Sequence, residues 1–288
     1  MYVRLNNMQS KFVSDHQVDL LVPRVPTSYH DRTEHLSLVG IIRVLSDYYV
    51  ESESKGFFTG RFRQENMRGF TVQENIVCSP RLHRKASERD GVLLHRISFA
   101  SIGETSYTIA QDLLDPSSME QLLHLEAKIV NVNPETRRPS KLPVWVTERF
   151  LNFCKRDSSS MLTKQEDIVP PSNAFKTLIR TRPSDMDSNF HVHFAEFYRF
   201  CTDCASEASL NGHYRYYEDD MCWFPVLETE VTFLGESPAN VNLDVYSWQD
   251  TVHVQRIYFA IYLKNNRIFQ ASFLYSKEKS PIESVSKL

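Results

Sequence analysis

The chain has 288 residues, enough for one large domain or two of about 130–140 residues. A formal charge of −3 gives no overall attraction to nucleic acid, and 8 glycines, with neither G-x-G-x-x-G nor G-x-x-x-x-G-K-[ST], exclude the common nucleotide-binding loops. Five scattered cysteines suggest no disulfide framework, and 18 Phe with 13 Tyr favour strand-rich structure.

In chain order, the first segment (MYVRLNNMQSKFVSD) has no apolar stretch of signal-peptide type, and no run is long enough to cross a membrane. A cytoplasmic protein is expected, with an organelle also allowed. From Asp31 to Glu51 the chain matches itself at residue n+156: Asp31 with Asp187, His35 with His191, Arg43 with Arg199, Asp47 with Asp203 and Glu51 with Glu207. The apolar positions agree too, so one pattern is written twice. The polar stretch Ser54 to Asp90 reads as loop, with a strand-like Phe70-Thr71-Val72 inside it. Its basic run Arg81-Leu82-His83-Arg84-Lys85 reads as solvated charge. Alternating apolar residues extend from His95 to Leu113, and Ile129–Val132 is a further strand. Ile102-Gly103-Glu104-Thr105 is echoed by Leu234-Gly235-Glu236-Ser237 at a shorter offset, which places about 24 extra residues between helix and strand in the first copy.

Residues 155–173 are rich in Ser, Pro and charge and read as a linker between domains 1–154 and 174–288. In the second domain the pattern predicts a strand at Phe175–Arg180 and a helix at about His193–Leu210. Strands come next near Pro225–Leu234, Val241–Trp248, Val252–Leu263 and Ile268–Tyr275, the last two joined by a turn at Asn265-Asn266-Arg267. Cys201-x-x-Cys204 falls on the helix, where that spacing is a matter of face, and no metal or cofactor is expected. Val192, Phe194, Ala195, Phe197, Tyr198, Phe200 and Cys201 cover more than one helix face, so a sheet should wrap the helix. The expected fold is α+β, a double hotdog: two antiparallel sheets, each wrapped around a long central helix.

The segment Ser184-Asp185-Met186-Asp187-Ser188-Asn189-Phe190-His191-Val192 resembles plant and bacterial acyl-acyl-carrier-protein thioesterases, whose catalytic half carries R-x-S-D-[ML]-D-x-N-x-H-V-N-N. This chain departs at His193-Phe194, where the family has an Asn pair. Asp31-Arg32-Thr33 is similar to the D-[RK]-T of the family's first hotdog. Val130–Pro139 followed by Leu142-Pro143 looks like the end of a hotdog thioesterase domain.

The resemblance implies hydrolysis of fatty acyl thioesters, carried by CoA or by acyl carrier protein, with Asp187 as base or nucleophile, Asn189 holding the carbonyl or water, and His191 assisting proton transfer. The family also uses a later Glu, for which Glu236 is the first candidate and Glu230 the second. His193, Phe194 and Phe197 are expected to contact substrate. The amides of His191 to Phe194, at a helix start, are candidate oxyanion donors. Asp31 reads as a cap, and the first copy as non-catalytic; a homodimer is compatible with the chain. One alternative is a degenerate double hotdog that binds acyl chains or a protein partner. A hotdog hydratase or dehydratase is disfavoured, because its D-x-N-P-x-H run is one residue longer than Asp187–His191 and contains proline.

Overall fold

The computed structural model describes residues 10–14, 16–54, 57, 67–87, 91–152, 154, 161–162 and 166–280. Contacts divide the chain into two compact units, one of Met1–Pro26 with Arg43–Lys164 and one of Thr27–Ile42 with Gln165–Leu288. The expected linker is outside the described residues at 155–160 and 163–165.

In the first unit the strands are β1 (Ser10–Ser14), β2 (Gln17–Val22), β3 (Arg68–Cys78), β4 (Leu93–Ile102), β5 (Ser106–Leu114) and β6 (Gln121–Val132). They pair antiparallel in the order β1-β2-β4-β5-β6-β3. In the second unit β7 (Phe175–Arg180), β8 (Val226–Phe233), β9 (Asn242–Gln249), β10 (Arg256–Leu263) and β11 (Asn266–Tyr275) pair in the order β8-β11-β10-β9-β7. Leaving β1 aside, the orders 2-4-5-6-3 and 7-9-10-11-8 are the same topology, so the repeat seen around the helices extends to the strands.

The helices of the repeat are α1 (Leu38–Ser54) and α4 (Phe194–Leu210), each of 17 residues, with α4 at the position of α1 plus 156. Period-2 burial on β2 and β4 turns Val18, Leu20, Leu93, Ile97 and Phe99 inward, where Tyr48 and Tyr49 of α1 pack against them. Among the described residues the first unit also has two shorter helices, α2 (Pro80–Ser87) and α3 (Val144–Phe150). Val146 and Phe150 of α3 join that core.

Within the second unit, α4 is buried on most sides. It touches β7 and β9. Phe197 stacks on Phe269 of β11 at 5.3 Å and meets Phe233 of β8 edge-on, while Tyr198 stacks on Phe273 at 5.9 Å. Cys201 and Cys204 are buried in this packing, Cys204 Sγ lies 3.7 Å from the Val245 carbonyl, and burial pushes both thiols up.

Three sequence expectations change. The stretch read as loop holds β3 and α2; the strand-like Phe70-Thr71-Val72 lies in β3, which runs on through Glu74 and Asn75, polar yet buried. The Leu-Gly-Glu echo is not a structural equivalence, since Gly103 sits in the β4–β5 turn and Gly235 comes after β8. The 24 extra residues expected in the first copy are not found: its β3–β4 connection (79–92) is six residues longer than the second copy's (234–241), and α2 lies in it. In the basic run, Arg81 is ion-paired with Glu120 and His83 is buried; the side chains of Arg84 and Lys85 lie outside the described residues.

Candidate active site

The chain enters α4 through a short 3-10 turn (Pro183–Asp185) and a tight loop closed by a Met186–Val192 bridge. Asp187 N–H donates to the His191 carbonyl at 2.9 Å and Phe190 N–H to the Asp187 carbonyl at 3.1 Å, which turns Phe190 into the left-handed region (φ 62). Asp187 Oδ1 accepts the Asn189 N–H at 2.8 Å, with the His191 N–H at 3.5 Å, and Asp187 Oδ2 accepts from Asn189 Nδ2 at 3.3 Å. This carboxylate therefore braces the loop that carries it. The helix cap is His193, whose Nδ1 accepts the Ala195 N–H at 3.2 Å.

Glu236 reaches the same place from the segment after β8. Its Oε2 lies 3.0 Å from His191 Nε2, and each side chain is 30 % exposed, open to solvent yet held in place. The Val192 N–H donates to the Ser237 carbonyl at 2.8 Å, tying the Glu236 segment to the start of α4, and Gly235 permits close approach to Ile268. Glu230, the second candidate, points elsewhere: it accepts from Ser272 Oγ at 3.3 Å and neighbours Arg256.

Loop and helix are joined by charges that the motif reading did not single out. Arg199 binds Asp185 Oδ1 at 3.0 Å and Glu196 Oε2 at 2.5 Å, with Asp203 at 3.5 Å. Asp185 Oδ2 accepts the Arg182 N–H, and its carbonyl accepts the His193 N–H at 2.8 Å, closing the neck of the loop. The i,i+3 and i,i+4 spacing of Glu196, Arg199 and Asp203 is a signal legible in the sequence. Burial raises the Asp203 carboxyl above its usual range, against the pull of Arg199.

Of the expected oxyanion donors, the amides of Val192 and His193 are occupied by the Ser237 and Asp185 carbonyls, and that of His191 leans toward Asp187. The Phe194 N–H, first in the helix, has no backbone partner among the described residues. Its ring is half-buried, 4.5 Å from the His193 ring. Phe197 is 3 % exposed and stacked in the aromatic core.

The first copy has the same loop with different side-chain wiring. Asp31 N–H donates to the His35 carbonyl at 2.8 Å, Glu34 N–H to the Asp31 carbonyl at 3.0 Å, and Glu34 has φ 63. There Thr33 Oγ1 bridges Asp31 (2.5 Å) and His35 Nδ1 (2.7 Å). The helix cap is Ser37, which accepts the Gly40 N–H. Arg32 is ion-paired with Asp220, which also accepts from Ser206 and from the Cys222 N–H. Despite the opposing desolvation, these partners hold the Asp220 carboxyl down at about 2.

Among the described residues, no group of three or more His, Cys, Asp and Glu is placed to hold a metal ion, and no helix is long and apolar enough to cross a membrane.

No protein-family model and no curated protein sequence matches the chain. Solved structures do. A protein designated an oleoyl thioesterase from Lactobacillus plantarum superposes with TM-score 0.71 at 13 % identity, over 96 % of this chain and 98 % of that one. The 12:0-ACP thioesterase of Umbellularia californica gives 0.69 at 11 %, over 90 % and 96 %. An acyl-ACP thioesterase of Bacteroides thetaiotaomicron gives 0.67 at 12 %, over 90 % and 98 %. The chain shares the hotdog fold of these proteins along nearly its whole length.

Proposed function

We propose that this protein is a double hotdog thioesterase that hydrolyses fatty acyl thioesters of CoA or acyl carrier protein, with its chemistry in the second copy. The observation that carries this reading is the His191–Glu236 pair at 3.0 Å, beside Asp187 and Asn189 at the entrance to a buried helix. In this reading residues 1–154 form the first hotdog, 155–173 the linker and 174–288 the second.

Thioester hydrolysis needs a base for water, a group to hold the carbonyl, and donors for the oxyanion. Glu236 holds the His191 imidazole at 3.0 Å, and the pair takes a proton from the attacking water. Asn189 is exposed, and its amide, braced by Asp187, can orient the carbonyl or the water. The Phe194 N–H, at the positive end of the α4 dipole, stabilises the oxyanion. His191 then returns the proton to the leaving thiolate. Asp187 acts here as a brace for the loop, a narrower role than base or nucleophile.

The same fold on likenesses of 11–13 % identity, together with His193-Phe194 in place of the Asn pair, also fits a chain that binds acyl groups without cleaving them. A panel of acyl-CoA and acyl-ACP substrates of graded length, offered to wild type, Asp187→Ala, His191→Ala and Glu236→Ala, separates the two. Hydrolysis by wild type that collapses in the His191 and Glu236 variants supports the enzyme; binding with no turnover supports the alternative. Equal rates in all four proteins would remove the site assignment.

A further inference from the structure

Phe190 lies between Asn189 and His191, and its side chain is 81 % exposed. A bulky residue with φ 62 is held where side chains are rarely found. The loop does not require the ring: the first copy closes the same hydrogen bonds with Glu34 at φ 63. Neither the backbone nor the core occupies the aromatic side chain here, which leaves its face open to a ligand beside Asn189 and His191. Resting on the thioesterase reading above, we propose that Phe190 is a substrate contact whose ring lies against the pantetheine arm of the acyl thioester.

The choice of arm rests on exposure and polarity. An acyl tail gains by leaving water altogether, which a ring open to solvent on most of its surface does not offer. The carbonyl must lie among His191, Glu236 and Asn189. In this proposal the sulfur and the pantetheine atoms beyond it lie on the solvent side, against Phe190, which is 81 % exposed. The arm is neutral, with methylenes, paired methyls and amides, and a flat aromatic face covers such a chain without charge. Glu34, the equivalent residue in the first copy, has no such face. The arm is common to CoA and acyl carrier protein, so the contact is independent of the carrier.

The test is equilibrium binding, which needs no turnover. S-dodecyl-pantetheine, a thioether that cannot be hydrolysed, is titrated calorimetrically into wild type, Phe190→Ala, Phe190→Glu and Phe190→Trp. Dodecyl ethyl sulfide, which ends two carbons beyond the sulfur, is titrated in parallel. We expect Kd for the pantetheine compound to rise about tenfold in the Ala and Glu variants and to be kept in the Trp variant, consistent with partial burial of one ring. Kd for the ethyl sulfide should be unchanged throughout. Equal affinities in all four proteins would overturn the proposal, as would an equal loss on both ligands, which would put the ring on the acyl side. Failure of wild type to hydrolyse any thioester would count against the enzyme reading alone and leave this comparison standing.

Discussion

His191 and Glu236 are separated by 45 positions in the chain and by 3.0 Å in space. General acid–base groups typically contribute about 100- to 10,000-fold in rate. Glu236→Gln, which keeps shape and removes the charge, should therefore lower kcat by at least about 100-fold while leaving the melting temperature within a degree or two. Asn189→Ala should cost less, about tenfold, because Asn189 orients without moving a proton. Steady-state kinetics with a thermal melt of each variant checks both. At this scale the sequence motif was informative for Asp187, Asn189 and His191, since they sit within five consecutive positions. Glu236 could be reached only as one of two candidates, because no local spacing links it to the motif. The wiring was not legible at all: Asp187 and His191 look like a pair on the page, whereas the imidazole meets Glu236 and the carboxylate meets Asn189.

The elements that hold the site are the loop and α4, fastened by Arg199 to Asp185 and Glu196. Both carboxylates are buried, so removing the guanidinium takes away the counter-charge they share. Arg199→Met should destabilise the protein by about 2–4 kcal/mol, discounted from the deep-interior case because Arg199 is itself partly exposed. Urea unfolding measures it; no change in midpoint would show that the cluster is mere surface charge. In the core of the same unit, Phe269 stacks on Phe197, and Phe269→Ala should cost about 3–5 kcal/mol by the cavity it leaves. Helices and strands of the second copy were readable because apolar periodicity is strong there: Phe175–Arg180 was placed to the residue. Of β3 only Phe70-Thr71-Val72 was readable, since Gln73, Glu74 and Asn75 interrupt the alternation in the middle of the strand. The repeated Leu-Gly-Glu misled, because short glycine-containing turns recur wherever strands end.

For the whole molecule, two histidines of the first unit, His95 buried and His124 partly exposed, contribute opposite responses to pH. The Asp112 carboxylate, which accepts from His124, and the nearby Glu126 raise His124 to about 9, whereas burial depresses His95 to about 4 against the pull of its bond to Gln111. A raised pKa means that His124 stabilises the fold fully below the unfolded value of about 6.5, and that this is lost as pH rises toward about 9. A depressed pKa means the reverse for His95: its contribution is present above about 6.5 and lost as pH falls toward about 4. Melting temperature against pH should fall on both sides, and His124→Gln should flatten the alkaline limb only; an unchanged limb would contradict the assignment. At this scale the repeat was the most legible feature, because a shared offset of 156 carries the loop hydrogen bonds, the left-handed residues Glu34 and Phe190, and both 17-residue helices. The copies are distinguished by chemistry, with Thr33 serving His35 in one and Glu236 serving His191 in the other.

Groups that act as one unit in catalysis are not additive when removed. The most direct measurement is therefore kcat/KM for thioester hydrolysis in wild type, His191→Ala, Glu236→Gln and the double variant. The His191–Glu236 account predicts that each single change costs at least about 100-fold, and that the double variant is no slower than the slower single. Wild-type activity in Glu236→Gln, or losses that multiply in the double variant, would contradict it.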